Sequence, residues 1–298
     1  MGARGSRLSL WQANHAMTLL RNAWTGLEIE LVTISTRGDR VLDTPLPLLG
    51  GKGVFTEEIE SALHDGSIDF AVHSLKDLPV DEPEGLTLGA IPERGAPDDL
   101  LVSRSGLGLA GLPQGAVIGT SSPRRSAQLL HARPDLQLRS IRGNVDTRIA
   151  KALDPNGEYD AIVLAQSGVE RLELIEAASE VLDFEVMLPA PGQGALAIQC
   201  LPTTELLDLL SPINHRPTQL ATVAERAVLS GLGGGCSAPI GAYGWFEGST
   251  LHLRGRSLAE DGSQRIDREI TVDGCETREA AEAAGISLAQ AMLMVMQP

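Results

Sequence analysis

Gly119-Thr120-Ser121-Ser122-Pro123-Arg124-Arg125 joins a predicted strand at 117–119 to a predicted helix starting at residue 123. Proline suits a first helical turn, where its missing N–H is not needed, and Ser121 or Ser122 can supply the capping oxygen. Free N–H groups and the helix dipole make that turn attractive to an anion. Helices favour acids at this end, so paired arginines there call for an anion to offset them. The segment Ile141-Arg142-Gly143-Asn144-Val145-Asp146-Thr147-Arg148 repeats the plan: an arginine at a strand end, a glycine turn, then an arginine one helical turn in.

The same alternation runs through most of the chain. Helices are predicted at 8–24 (with Ser6 as N-cap), at 56–64, from 123, from 144, at 220–229 and from 277. Strands are predicted at 27–35, 68–74, 86–91, 100–103, 117–119, 137–141, 159–165, 242–246, 251–256 and 265–272. Such β/α order predicts open, largely parallel sheets with sites at the carboxyl ends of strands. The loop-rich stretches 92–97 and 188–194 read as crossings between two α/β lobes that face each other across a cleft. The last three strands, packed on helices, form a small α+β domain. The expected division is 1–92 with 194–211, then 98–189, then 213–298.

The chain has 298 residues, a net charge of -15, 43% hydrophobic and 3% aromatic residues. Between residues 120 and 148, however, six arginines (Arg124, Arg125, Arg133, Arg139, Arg142, Arg148) face two acids. That local surplus suits an anion with several carboxylates or phosphates, and arginine binds a planar carboxylate with two bonds at once. Nucleic acid is an unsuitable partner, because the overall charge repels it and stacking platforms are scarce. No apolar run approaches the ~20 residues of a membrane span. The N-terminus lacks a secretory h-region, so a cytosolic location is expected. Three scattered cysteines make no disulfide framework, and no spacing suggests a metal site.

Two further stretches carry candidate chemistry. In Val72-His73-Ser74-Leu75-Lys76-Asp77-Leu78-Pro79 a buried strand delivers Ser74, Lys76 and Asp77 to its carboxyl end, where one group can hold a substrate anion and another move a proton. His73 reads as a core or supporting histidine. Cys236 sits in Gly231-Leu232-Gly233-Gly234-Gly235-Cys236-Ser237-Ala238-Pro239-Ile240-Gly241, a loop that presents a lone thiol for covalent chemistry. Cys200 and Cys275 read as ordinary thiols. Gly50-Gly51-Lys52-Gly53 lacks the spacing of a phosphate loop and its following Ser/Thr.

Together these motifs, with Gly50-Gly-Lys-Gly-Val-Phe55 and Arg142-Gly-Asn-Val145, closely resemble the porphobilinogen deaminase (hydroxymethylbilane synthase) family, from about Arg4 to the final helix. The resemblance implies two lobes like those of type 2 periplasmic binding proteins plus a small α+β C-terminal domain. It implies a transferase of tetrapyrrole (heme) biosynthesis with a dipyrromethane cofactor held by thioether on Cys236. Porphobilinogen units, each with an acetate and a propionate, would be deaminated and added in turn to that primer, and the linear tetrapyrrole hydrolysed off. By position, Asp77 is the catalytic acid/base. Ser74, Lys76, Thr120, Ser121, Ser122, Arg124 and Arg125 bind the cofactor with Asp77. Arg4, Ser6, Arg142, Arg148, Arg171 and Gln193 bind substrate or growing chain, and Lys52 and Phe55 belong to a mobile loop. A monomer without metal is implied. The family more often has an apolar residue at the position of Pro123. The competing reading is a two-lobe binder of small anions without catalysis, which would need neither Cys236 nor Asp77 nor a third domain.

Overall fold

The structure, a computed structural model, describes residues 1–40, 56–234 and 238–296. Lys52 and Phe55, the 50–53 loop, and Cys236 lie outside the described residues. In chain order the first elements are β1 (Gly2–Arg4), α1 (Arg7–Ala23), β2 (Val32–Ile34), α2 (Arg37–Arg40), α3 (Glu57–His64), β3 (Phe70–Ser74) and β4 (Thr87–Ala90). Next come β5 (Asp99–Ser103), β6 (Val117–Gly119), α4 (Pro123–Ala132), β7 (Gln137–Arg139), α5 (Val145–Leu153), β8 (Ala161–Ala165), α6 (Gln166–Arg171) and β9 (Glu180–Leu182). The chain ends with β10 (Leu196–Cys200), α7 (Thr204–Leu210), α8 (Arg216–Gly231), β11 (Ile240–Glu247), β12 (Thr250–Leu258), β13 (Arg265–Val272) and α9 (Arg278–Met296).

These elements form two compact units: Met1–Gly95 with Ala195–Gln219, and Ala96–Gly194 with Leu220–Pro298. In the first unit the sheet order is β2-β1-β3-β10-β4. β1 runs parallel to β2 and β3, while β10 runs antiparallel to β3 and β4, so four strands point one way and one is reversed. Helix α1 opens on Ser6, whose hydroxyl accepts from the Ser9 N–H at 3.2 Å. Its Ala13, Ala16, Met17 and Leu20, at helical spacing, pack on Phe70, Val72 and Ile198.

The second unit repeats the plan in its own sheet, β7-β6-β8-β5-β9, with β6 parallel to β7 and β8 and β5 the reversed strand. Its other sheet is the antiparallel meander β11-β12-β13. Leu220, Ala224 and Val228 of α8, Leu251 and Leu253 of β12 and Leu288 and Met292 of α9 make that sheet's core. The fold class is therefore α/β, with two mostly parallel sheets and a small sheet-and-helix portion at the C-terminus. No described helix is long and apolar enough to cross a membrane.

Several element bounds differ from expectation for identifiable reasons. The strand predicted at 137–141 stops at Arg139 because Ser140 and Ile141 are taken up by Ser121: its hydroxyl meets Ser140 Oγ at 2.8 Å, Ile141 O at 2.8 Å and Ile141 N at 3.1 Å. The strand predicted at 27–35 is only Val32–Ile34. α8 starts four residues ahead of the expected 220, at Arg216. β1, β9, β10, α2, α6 and α7 are additions to the predicted elements. β10 is buried at every position, so it shows no two-residue alternation to read.

At the end of β6, Gly119 leaves no room for a side chain. A Cβ there would lie 2.8 Å from Tyr159 Cδ1 and 3.0 Å from Ile162 Cγ2, both buried. Tyr159 cannot retreat freely, since its hydroxyl donates to Ser140 O at 2.9 Å, beside the turn that carries Arg142. Gly119→Ala is expected to lose about 1–3 kcal/mol of stability through overpacking, read as a lower urea midpoint with unchanged slope.

Candidate active site

Helix α4 begins on a built N-terminus. Ser122, not Ser121, is the cap: its Oγ accepts from the Arg125 N–H at 3.4 Å, and Pro123 occupies the first helical position. Thr120 sits underneath, its N–H donating to Arg139 O at 2.9 Å and its Oγ1 accepting from the Ser122 N–H at 3.2 Å. Arg124 and Arg125 follow, buried to 4% and 8% exposure.

The anion expected for these arginines comes from the chain itself. Asp99, the fully buried first residue of β5, takes Arg124 Nη1 on Oδ2 at 2.7 Å, and Arg125 Nη2 and Nε on Oδ1 at 2.7 and 3.0 Å. Arg124 Nη1 also donates to Leu188 O at 2.7 Å and Nη2 to Gln193 Oε1 at 3.4 Å, while Arg125 Nη1 donates to Val163 O at 3.0 Å. Burial, opposed by Asp99, pulls the Arg124 guanidinium below its ordinary range. Two guanidinium groups share one carboxylate, which leaves a positive charge beside the α4 N-terminus, and Arg124 Nε is buried with no acceptor.

The second unit carries four more candidates. Gln193, fully buried, donates from Nε2 to Pro97 O at 2.7 Å and Asp98 O at 3.2 Å. Arg171 donates to Gly194 O at 2.6 Å, and burial pushes its guanidinium down to about 10. Arg142 precedes Gly143, whose φ of 117° permits the turn into α5, and Arg148 donates from Nε back to Gly143 O at 2.7 Å. The remaining arginines of the basic stretch do structural work. Arg133 makes a two-point pair with Asp135 at 2.7 and 2.8 Å, and Arg139 faces Glu158 at 3.6 Å.

In the first unit, Ser74 ends β3 and accepts from Gln12 Nε2 of α1 at 2.8 Å. The chain then makes a 3₁₀ turn, Leu75–Asp77, tied to the sheet by the Leu75 N–H donating to Ala195 O at 3.0 Å. Leu75 is buried beneath the turn, Lys76 is half-buried and Asp77 is exposed. Among the described residues the Asp77 carboxylate holds no hydrogen bond or ion pair. Arg4 ends β1, the strand beside β3, and Ser6 lies two residues on.

A family model described as "Porphobilinogen deaminase, dipyromethane cofactor binding domain" matches residues 1–208, and one described as "Porphobilinogen deaminase, C-terminal domain" matches residues 219–294. The chain belongs to the porphobilinogen deaminase family. The porphobilinogen deaminase of Maridesulfovibrio salexigens is 47% identical over 294 residues, covering 98% of this chain and 94% of that one. That of Syntrophotalea carbinolica is also 47% identical over 294 residues, covering 98% and 91%. Among solved structures, a TRAP periplasmic solute binding protein from Roseobacter denitrificans with bound β-D-glucuronate covers 72% of this chain and 78% of its own at 9% identity, with a TM-score of 0.37.

The α4 turn fits an acidic cofactor of the kind this family holds. Its donors are cationic or first-turn N–H groups, and the buried Arg124 Nε lacks an acceptor. The second unit thus brings together Thr120, Ser121, Ser122, Arg124, Arg125 and Gln193, and places Arg142, Arg148 and Arg171 in the same unit. The first unit carries Arg4, Ser6, Ser74, Lys76 and Asp77. Asp99, Gln128 and Arg256 were missed by sequence reasoning. An acid pair, Asp98-Asp99, directly before an apolar strand is the signal that could have marked the first of these.

His73, buried in β3, has its imidazole pushed down to about 4 by burial, with the charge of Arg4 acting the same way. In the unfolded chain it protonates near 6.5. As pH falls from about 6.5 to about 4 the unfolded state therefore takes up a proton that the folded state refuses, and stability declines across that window. Urea midpoints measured from pH 7.5 to 4 should fall less steeply in His73→Gln than in the unaltered chain.

Proposed function

We infer that this chain is a porphobilinogen deaminase, a transferase that condenses four porphobilinogen molecules and releases hydroxymethylbilane and ammonia. The match of both family models, with 47% identity over 98% of the chain, carries that reading. The C-terminal family match over residues 219–294 is what a two-lobe anion binder would not require. Porphobilinogen is the substrate. The dipyrromethane supplies, when bound, the pyrrole carbon at which the first condensation occurs.

The residue roles follow from chemistry already described. Cys236 is proposed as the thioether attachment. Arg124, Arg125, Thr120, Ser121, Ser122, Ser74 and Lys76 are proposed to hold cofactor carboxylates, with the first-turn N–H groups of α4 adding to the field. Arg125 presents its charge there although its donors are engaged by Asp99 and Val163 O. Arg4, Ser6, Arg142, Arg148, Arg171 and Gln193 are proposed to take substrate or growing-chain carboxylates. Asp77 is proposed as the catalytic acid/base: an exposed carboxylate with no partner among the described residues can face positive charge developing on pyrrole nitrogens while ammonia leaves. The three-domain division 1–92 with 194–211, 98–189 and 213–298, a monomeric state and a cytosolic location complete the proposal.

Intact mass tests the attachment. Cys236→Ser should lack the primer mass and be inactive, whereas Cys200→Ser and Cys275→Ser should keep both. An unmodified yet active Cys236→Ser protein would overturn the assignment.

Asp77→Asn should retain the primer and bind porphobilinogen but lose about 10²–10⁴-fold in turnover, since an amide neither carries a proton nor balances a cation. Retention of more than about a tenth of the activity would remove Asp77 from this role.

A further inference from the structure

We propose that Arg256 is a positioning residue which, through Gln128, orients the Leu188 peptide and with it the Arg124 guanidinium. This rests on the reading of Arg124 as a cofactor-holding residue. Arg256 lies on β12, opposite Gly241 of β11, the strand that starts four residues after Cys236 in the sequence. Its side chain is fully buried, and burial pulls its guanidinium below the ordinary range. Nε and Nη2 bond Asp267 at 2.7 and 3.2 Å, and Nη1 donates to Gln128 Oε1 at 2.7 Å.

Gln128, on the buried face of α4, cannot turn over. Its Oε1 already receives Arg256 Nη1 and, at 2.8 Å, the Leu188 N–H, both of which can only donate. Its Nε2 must therefore face acceptors, and it meets Leu188 O at 3.0 Å and Arg124 O at 3.3 Å. Leu188 O is also the acceptor for Arg124 Nη1 at 2.7 Å. A guanidinium on the C-terminal sheet thus adds a second donor to the amide oxygen that the Leu188 N–H already holds, that amide grips both polar groups of one peptide, and the peptide's oxygen steadies Arg124. Asp267 is not what needs Arg256, because Arg254 at 3.7 Å and Arg265 also neutralise it.

Arg256→Met is the informative variant, since it fills similar volume, leaves Asp267 paired and leaves the Gln128 amide held by the Leu188 peptide without the guanidinium. Gln128→Glu is the second, since a carboxylate keeps Arg256 but cannot donate to Leu188 O. Leu253→Ala, which opens the core of the same sheet away from the relay, is the stability control. Each full-length protein, as purified, is measured by intact mass for its primer-bearing share, by thermal unfolding, and by hydrogen exchange at the Leu188 amide. Arg256→Met should show about tenfold faster Leu188 exchange, and both relay variants a smaller primer-bearing share. Leu253→Ala should lose more in Tm yet keep both values. Unchanged exchange and primer share in Arg256→Met would overturn the proposal, as would an equal loss of primer in Leu253→Ala. An unaltered chain that carries no primer would instead defeat the cofactor reading, while the Leu188 exchange still judges the relay.

Discussion

One buried carboxylate, Asp99, organises the second unit. It stands at the start of β5 with no exposure and takes two guanidinium groups from the first turn of α4. A lone buried charge is costly, and a buried pair repays that cost only with good geometry and further hydrogen bonds. Both conditions are met, since Arg125 meets one carboxylate oxygen through two nitrogens and each arginine also reaches a backbone oxygen. The arrangement is deliberately unbalanced. Two cations on one anion leave a surplus at a helix N-terminus, where an anionic ligand is favoured and a second acid from the chain would remove the attraction.

The duplicated sheet plan explains why this pair can exist where it does. In both mostly parallel sheets the reversed strand is the one the chain enters after passing between units: β5 begins at Asp99, just after residue 96, and β10 begins at Leu196, just after 195. Because β5 runs against β8, its first residue lies level with that strand's last one, as the pairing of Asp99 with Ala165 records. An acid at the start of a reversed strand therefore arrives at the carboxyl end of the parallel strands, where α4 also starts. In a wholly parallel sheet the same residue would sit at the opposite edge.

This geometry also separates what could be read in the residues from what could not. Local signals were sufficient for Ser6, Pro123 and the helices they open, and narrowed the α4 cap to Ser121 or Ser122, because capping chemistry acts over three or four residues. The meander at the C-terminus was legible for a similar reason: its core-facing positions alternate along β12. β10 was not, since burial on both faces erases the alternation. The partners of Arg124, Arg125 and Arg256 were not legible either, lying 25, 26 and 128 residues away along the chain. The basic stretch between 120 and 148 reads as one island, yet Arg133 and Arg139 have Asp135 and Glu158 beside them. Counting charges along a sequence cannot distinguish a cation held by its neighbours from one presented to a ligand.

The two aspartates that matter most show why burial, more than residue type, divides labour in this protein. Asp99 is enclosed and both its oxygens are met by guanidinium donors, so its carboxylate is occupied in holding the α4 arginines. Asp77 ends a 3₁₀ turn whose Leu75 is anchored by the Ala195 carbonyl, so its backbone is fixed while its carboxylate stands exposed, with no hydrogen bond or ion pair among the described residues. A group with that freedom can exchange protons with a substrate and realign as charge moves. Exchanging the two environments would abolish both functions without altering the composition. What makes Asp77 the candidate acid/base is thus its lack of the very contacts that make Asp99 structural.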